Sequence, residues 1–493
     1  MCLFVEMSNL WNELSFHSEA PMIFSSGLFM WLFVGFLCVY TLLLKRDRIR
    51  LVFVVAFSYY FYYKSGGWCF LLLALVTLSD FLIALRIGST LHRNRRKLWV
   101  TLSIALDLAL LGYFKYTNFL FASFSSLFGH EFSPFDIVLP VGISFFTFQS
   151  LSYTIDVYRG QIRPLRSLLD YAFYVSFFPQ LVAGPIVKAR DFIPQIRQKV
   201  FVSEEMLGRG LFLILAGLIK KTIISDYISV NFVDRVFDSP QLYTSIENLF
   251  AMYGYTVQIY CDFSGYSDMA IGIALLLGFK LGDNFRSPFK AVSVTDFWRR
   301  WHISLSTWLR DYVYISLGGN RKGKARRSIN LFATMLLGGL WHGAAWNFVL
   351  WGAMHGTALC LHKWWAENKP FELPFGPKIR RLLAIAVTFH FVCLTFVFFR
   401  ADSVTTALSM IGSAIDISSW TNITAVISAY WQVLMLTVLA FIGQLLPDRI
   451  DRMTAGIITQ VPVAVKVVTV VVVIYAVICM QAAEIRPFIY FQF

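Results

Sequence analysis

"GGLWHGAAWNFVLWGAMHG", residues 338–356, places two histidines, His342 and His355, inside an apolar run of near-spanning length. A neutral imidazole in hydrocarbon is costly unless it is hydrogen-bonded, so an intramembrane histidine marks a functional site by default. The competing reading is a histidine bonded across helices for structure alone. Counted from the basic loop ending at Arg327, His342 lies about 20 Å along a helix that rises 1.5 Å per residue, deep in a hydrocarbon core of about 30 Å. Gly338, Gly339 and Gly343 flank it, and small residues let another helix or a ligand approach closely.

Similar apolar runs recur from Met22 to Ala483 with short loops between them. The 493 residues are 57% hydrophobic and 15% charged, whereas soluble domains average roughly 45–50% apolar and about 25% charged. This predicts an all-α polytopic membrane protein, one integral domain of roughly eleven spanning or re-entrant helices at about 20 residues per span. The net charge of +14 sits in short loops rather than on one soluble face. It therefore sets topology and meets anionic headgroups or a phosphorylated substrate, not nucleic acid. Seven scattered cysteines show no metal spacing, and no disulfide, zinc site or catalytic thiol is assigned.

Loop charges give a consistent weave. "KRDRIR" (45–50) is basic and cytoplasmic, which puts the N-terminus outside, residues 65–67 outside, 86–97 inside, 123–136 outside and 159–166 inside. The next apolar stretch, "YAFYVSFFPQLVAGPIV", contains Pro179, Gly184 and Pro185 and has basic residues on both sides. It reads as a re-entrant segment, because broken backbone at membrane depth needs protein or water around it. Helices follow near 207–229 and 247–279, then a basic cytoplasmic segment at 280–330, then crossings near 329–346, 348–362, 382–399, 429–446 and 463–483.

Two further stretches carry polar groups toward His342. In "FWRRWHISLSTWLRDYVYISLGGNRKG" (297–323), a continuous helix puts Arg299, His302, Ser306 and Arg310 on one face and Trp301, Leu305, Trp308 and Tyr312 on another. The stripe faces protein or substrate, or else lipid phosphates. "YCDFSGYSDMAIG" (260–272) buries Asp262 and Asp268, which need partners or a water-filled cavity. Six residues apart, they do not share a face of a straight helix, although Gly265 offers a bend. Pairing with Arg299 or Arg300 is the favoured role. His355, His362 and His390 lack comparable polar company and read as structural. Together the elements form a polar path from a basic cytoplasmic face to a buried imidazole, which suits acyl transfer to a hydroxyl: histidine is matched to taking the acceptor's proton, and a site away from bulk water protects a thioester. A proton-coupled transporter or channel and a non-catalytic scaffold of polysaccharide export are the rival classes.

These stretches, with "GYFKYTNF" (112–119) and "LPVGISFFTFQSLSYTIDVYRG" (139–160), resemble the membrane-bound O-acyltransferase family, in particular its branch of alginate O-acetyltransferase membrane subunits. The resemblance runs from "MIFSS" at Met22 to "FFRAD" at 398–402. While the apolar runs alone predict C-terminal transmembrane helices over 403–493, the resemblance implies a catalytic membrane domain over 22–402 and residues 1–21 as a dispensable extension or mis-assigned start. It implies helices ringed around a tunnel, His342 and His302 as the catalytic pair, and Arg299, Arg300, Ser306, Arg310, Asp262, Asp268 and Trp341 as candidates for holding substrate or donor. It further implies acetyl-CoA as co-substrate with no other cofactor, a secreted or membrane-anchored partner acetyltransferase, and a place in a bacterial inner membrane.

Overall fold

The computed structural model describes residues 13–18, 21–368, 374–416, 420, 423–480 and 488–489, and every regular element among them is a helix. Residues 1–12 and 19–20 of the expected extension, and the end of the expected last crossing beyond Met480, lie outside the described residues. The chain divides into two compact units, one drawn from Met1–Gly210, Met269–Gly282 and Ile485–Gln492, the other from Leu211–Asp268 and Asp283–Glu484.

The first unit opens with α1 (Gly27–Leu42), which starts where the Ser26 hydroxyl accepts from the Phe29 N–H. It continues through α2 (Asp47–Gly66), α3 (Phe70–Ser89), α4 (Arg93–Leu111), α5 (Ile143–Tyr158), α6 (Leu168–Ser176) and α7 (Ala189–Ile196). Phenylalanines of α1 and α2 converge on Phe178, whose ring lies 5.5 Å from Phe36 and 5.1 Å from Phe57. Phe178 belongs to the segment expected to be broken. After α6 the helix does stop, and the Phe178 N–H finds the Ser58 hydroxyl at 3.2 Å, so freed backbone is satisfied by protein. Two wholly buried hydroxyls of α5 are likewise paired: Ser150 hydrogen-bonds Asp80 of α3 and the Tyr171 hydroxyl of α6, and Thr154 bonds Ser103 of α4 at 3.0 Å.

The described part of the expected extension packs on α2. The buried Lys64 ammonium donates to the carbonyls of Glu13, at 2.7 Å, and Ser15, and the Tyr60 hydroxyl donates to the Leu14 carbonyl. Phe16 lies against Gly67, which adopts φ +61° and has no room for a side chain. A chain beginning at Met22 strips Lys64 of both carbonyls, a change expected to cost about 1–3 kcal/mol, toward the lower end because truncation also admits water. Membrane abundance and thermal unfolding of the truncated protein check this; unchanged values would show that residues 13–18 contribute nothing.

The chain goes on through α8 (Glu204–Leu218), which passes into a π-helical stretch at Ile219–Asp226, and the 32-residue α9 (Ser245–Leu276). The second unit then holds α10 (Val294–Trp298), α11 (Ile303–Trp308), α12 (Gly323–His342), α13 (Trp346–Asn368), α14 (Pro377–Arg400), α15 (Val404–Ile415), α16 (Ile423–Leu445), α17 (Asp448–Gln460) and α18 (Val463–Met480). Among the described residues four apolar stretches are long enough to cross a membrane: Asp47–Ser89, which holds both α2 and α3, then Arg93–Leu127, Pro377–Arg400 and Ile423–Leu445. The other helices are shorter or more polar. α12 and α13 fall among the more polar because basic residues open the first and imidazole and indole groups punctuate the second.

Candidate active site

His342 is the last residue of α12, and only Gly343–Ala345 separate it from α13. The two helices touch backbone to backbone: a side-chain carbon on Gly339 would stand 2.2 Å from the Phe348 carbonyl, and one on Gly352 would stand 2.6 Å from that of Met335. The glycine room read from the sequence is thus taken by a helix. That contact fixes His342, 3% exposed, in an aromatic enclosure with Trp351 at 5.1 Å, Phe399 at 5.2 Å and Trp341 at 5.0 Å between ring centroids.

The expected continuous helix over 297–323 is broken at the second histidine. α10 ends at Trp298, α11 begins at Ile303, and His302 between them takes the left-handed conformation, φ +43° and ψ +55°. That conformation is uncommon for a residue with a side chain and persists only when the surroundings impose it. Asn284 imposes it: its carbonyl accepts from the Ile303 N–H at 3.0 Å, and its side-chain Oδ1 accepts from the Ser304 N–H at 3.2 Å and hydroxyl at 2.8 Å. The break turns His302 wholly inward, while Arg299 and Arg310 stay exposed, Arg310 beside Asp311 at 2.8 Å. The predicted shared face of Arg299, His302, Ser306 and Arg310 therefore does not form. Ser306, half-buried, donates to the Trp301 carbonyl, and Arg300 pairs with Asp296 at 3.0 Å.

What the fold does bring together is His302, Trp341 and His342. The two imidazole centroids lie 6.3 Å apart, and Trp341 lies 6.1 Å from His302. At that spacing the imidazoles are beyond direct hydrogen-bonding range but able to address one reacting group between them. Phe263 of α9 closes the other side of His302 edge-on at 4.6 Å.

Asp262 and Asp268 are paired, but with lysines rather than the expected arginines. Lys221 reaches Asp262 at 2.7 Å and Asp226 at 2.8 Å, and Lys220 reaches Asp268 at 2.7 Å. Gly265, midway between the aspartates, does not bend α9. It is where the chain before the lysines crosses: a side-chain carbon there would lie 2.8 Å from the Gly217 carbonyl and 3.1 Å from the Lys221 nitrogen. Adjacent lysines thus straddle α9 and each takes the carboxylate on its own side. The signal for them was present in "LIKKTII", since lysines in an apolar run demand anionic partners.

His355, read as structural for want of polar company, has such company within the fold. The Trp298 indole N–H donates to its Nδ1 at 3.3 Å, so the ring's own proton sits on Nε2 and is donated to the Thr395 hydroxyl at 3.1 Å, which in turn donates to the Val392 carbonyl. His362 bonds Thr295, and His390 bonds Tyr253 and the Ala386 carbonyl.

Residues 161–399 match the membrane-bound O-acyltransferase family. The chain is 38% identical to the probable alginate O-acetylase AlgI of Azotobacter vinelandii over 96% of its own length and all of that protein's. It is 42% identical to the protein of the same name in Pseudomonas putida over 81% of each chain, and 37% identical to the peptidoglycan O-acetyltransferase of Helicobacter pylori over 80% of each.

Proposed function

This chain belongs to the membrane-bound O-acyltransferase family and is a multi-pass membrane acyltransferase, and from that premise we propose that it moves an acetyl group from cytoplasmic acetyl-CoA across the membrane for O-acetylation of an exported or cell-surface polysaccharide. The observation that carries this reading is the pair of buried imidazoles 6.3 Å apart in an aromatic enclosure. Relatives named for alginate and peptidoglycan acetylation supply the acceptor class. In the proposed reaction, His342 takes the proton of the attacking hydroxyl as its oxygen adds to the thioester carbonyl. The tetrahedral adduct collapses to the ester, the carbon–sulfur bond breaks, and the departing thiolate recovers the proton. His302 orients the donor, Trp341 packs against both rings, and the exposed Arg299 and Arg310 serve the donor's phosphates at the cytoplasmic face. A secreted or membrane-anchored partner acetyltransferase then hands the group to the polymer outside a bacterial inner membrane.

The test is purified protein given acetyl-CoA labelled in the acetyl group. Release of CoA that depends on both histidines and on a hydroxyl acceptor is the expected result. A protein that moves protons or solutes but releases no CoA would be the transporter of the rival reading.

A further inference from the structure

The hydrogen bonds around His302 determine where its proton sits. The Ser304 backbone N–H can only donate, so the Asn284 side-chain atom it meets at 3.2 Å is the amide oxygen. The Asn284 nitrogen accordingly points the other way and donates to the Ser267 hydroxyl at 3.1 Å. The same oxygen faces His302 Nδ1 at 3.2 Å. A second neighbour of Nδ1, the Ser304 Oγ at 3.5 Å, has already given its hydrogen to Asn284 at 2.8 Å and likewise offers a lone pair. Both partners of Nδ1 are acceptors, so Nδ1 must carry the proton.

We infer that Asn284 is a positioning residue that locks His302 in the Nδ1–H tautomer and so makes Nε2, with its lone pair, the nitrogen offered to the reacting groups. This rests on the acyl-transfer reading for its purpose but not for its geometry. The consequence for ligand chemistry is specific. A lone-pair nitrogen holds a group that donates a hydrogen bond, an amide N–H of the donor's pantetheine arm or an acceptor hydroxyl, and it repels a phosphate or carbonyl oxygen. Three donors converge on one Asn284 oxygen while the Asn284 carbonyl holds the strained turn. A single residue therefore sets both the backbone conformation and the tautomer, the first through its backbone carbonyl and side chain together and the second through its side-chain oxygen.

Two measurements test this. Nitrogen-15 spectra of histidine-labelled wild-type protein, with the His302 signals identified by their loss in His302→Gln, should show Nδ1 protonated and Nε2 bare; the reverse tautomer overturns the inference whatever the enzyme does. Asn284→Asp puts a carboxylate against Nδ1–H and favours the protonated ring, so the pH at which the His302 nitrogen-15 signals titrate should move up by about one unit or more. The titratable ring facing His302, His342, is unchanged in that variant. In acetyl-transfer assays, Asn284→Ala should lower turnover about tenfold, with a raised KM for acetyl-CoA if the held group is the donor's amide and an unchanged one if it is the acceptor's hydroxyl. An unmoved His302 titration in Asn284→Asp protein of wild-type abundance overturns the positioning role. If wild-type protein transfers no acetyl group yet shows the Nδ1–H tautomer, the functional reading fails and the lock stands.

Discussion

Replacing His342 with glutamine is expected to lower turnover by about 10²–10⁴-fold while the protein accumulates in the membrane at its normal level. Glutamine roughly preserves the size and hydrogen-bonding capacity of the ring, so the enclosure of Trp341, Trp351 and Phe399 remains filled, but it cannot take a proton from the attacking hydroxyl. The loss should fall on kcat with little change in the binding of acetyl-CoA. Polymer acetylation in cells and CoA release by purified protein are the paired measurements. Activity near wild type in both would mean that the imidazole does no proton transfer, and that His342 holds helices together as His355 does.

Lys221→Met is expected to be the most destabilising single change in the second unit. Lys221 and Asp262 are each 4% exposed at the side chain, and removing one member of such a pair leaves the other charged and desolvated, at about 3–5 kcal/mol. That is a large share of a stability margin of about 5–15 kcal/mol, so the variant should be scarce in the membrane and unfold early in detergent. Adding Asp262→Asn should recover much of the loss, because the more deeply buried stranded charge is then gone and Asp226, the other carboxylate at Lys221, is partly exposed. Wild-type thermal stability in Lys221→Met alone would show that the pair contributes no net stability.

Legibility from sequence followed the range of the interactions. The helix pair around His342 was readable because glycine spacing is local, but α12 runs Gly323–His342 where 329–346 was expected, α13 runs Trp346–Asn368 where 348–362 was expected, and neither is among the four stretches apolar enough to span. The histidine pair came from motif resemblance, and the fold does place both rings in one enclosure. The arginine stripe failed because it assumed an unbroken helix through His302, whereas the break is imposed by Asn284, eighteen residues upstream, and no local propensity announces it. The aspartates were rightly expected to need partners, but their partners depend on which chain crosses at Gly265, and only tertiary packing settles that.

The double ion pair across α9 also has a consequence for how the protein is made. Lys221 leaves the ribosome 41 residues ahead of Asp262, about 2–8 s at synthesis rates of about 5–20 residues per second. During that interval a helix with two adjacent lysines, each costing about 2.5–3.5 kcal/mol at mid-membrane, has only Asp226 for Lys221 and neither of the α9 carboxylates, Asp262 for Lys221 and Asp268 for Lys220. Stable insertion of residues 207–229 should therefore be posttranslational with respect to their own synthesis, waiting at the insertion machinery for α9 to be delivered. Nascent chains arrested just before Asp262 should leave this segment extractable by alkaline wash and open to proteolysis, and chains arrested beyond Asp268, once that residue has emerged, should not. If both lengths resist extraction equally, the lysines enter the bilayer without waiting for their partners.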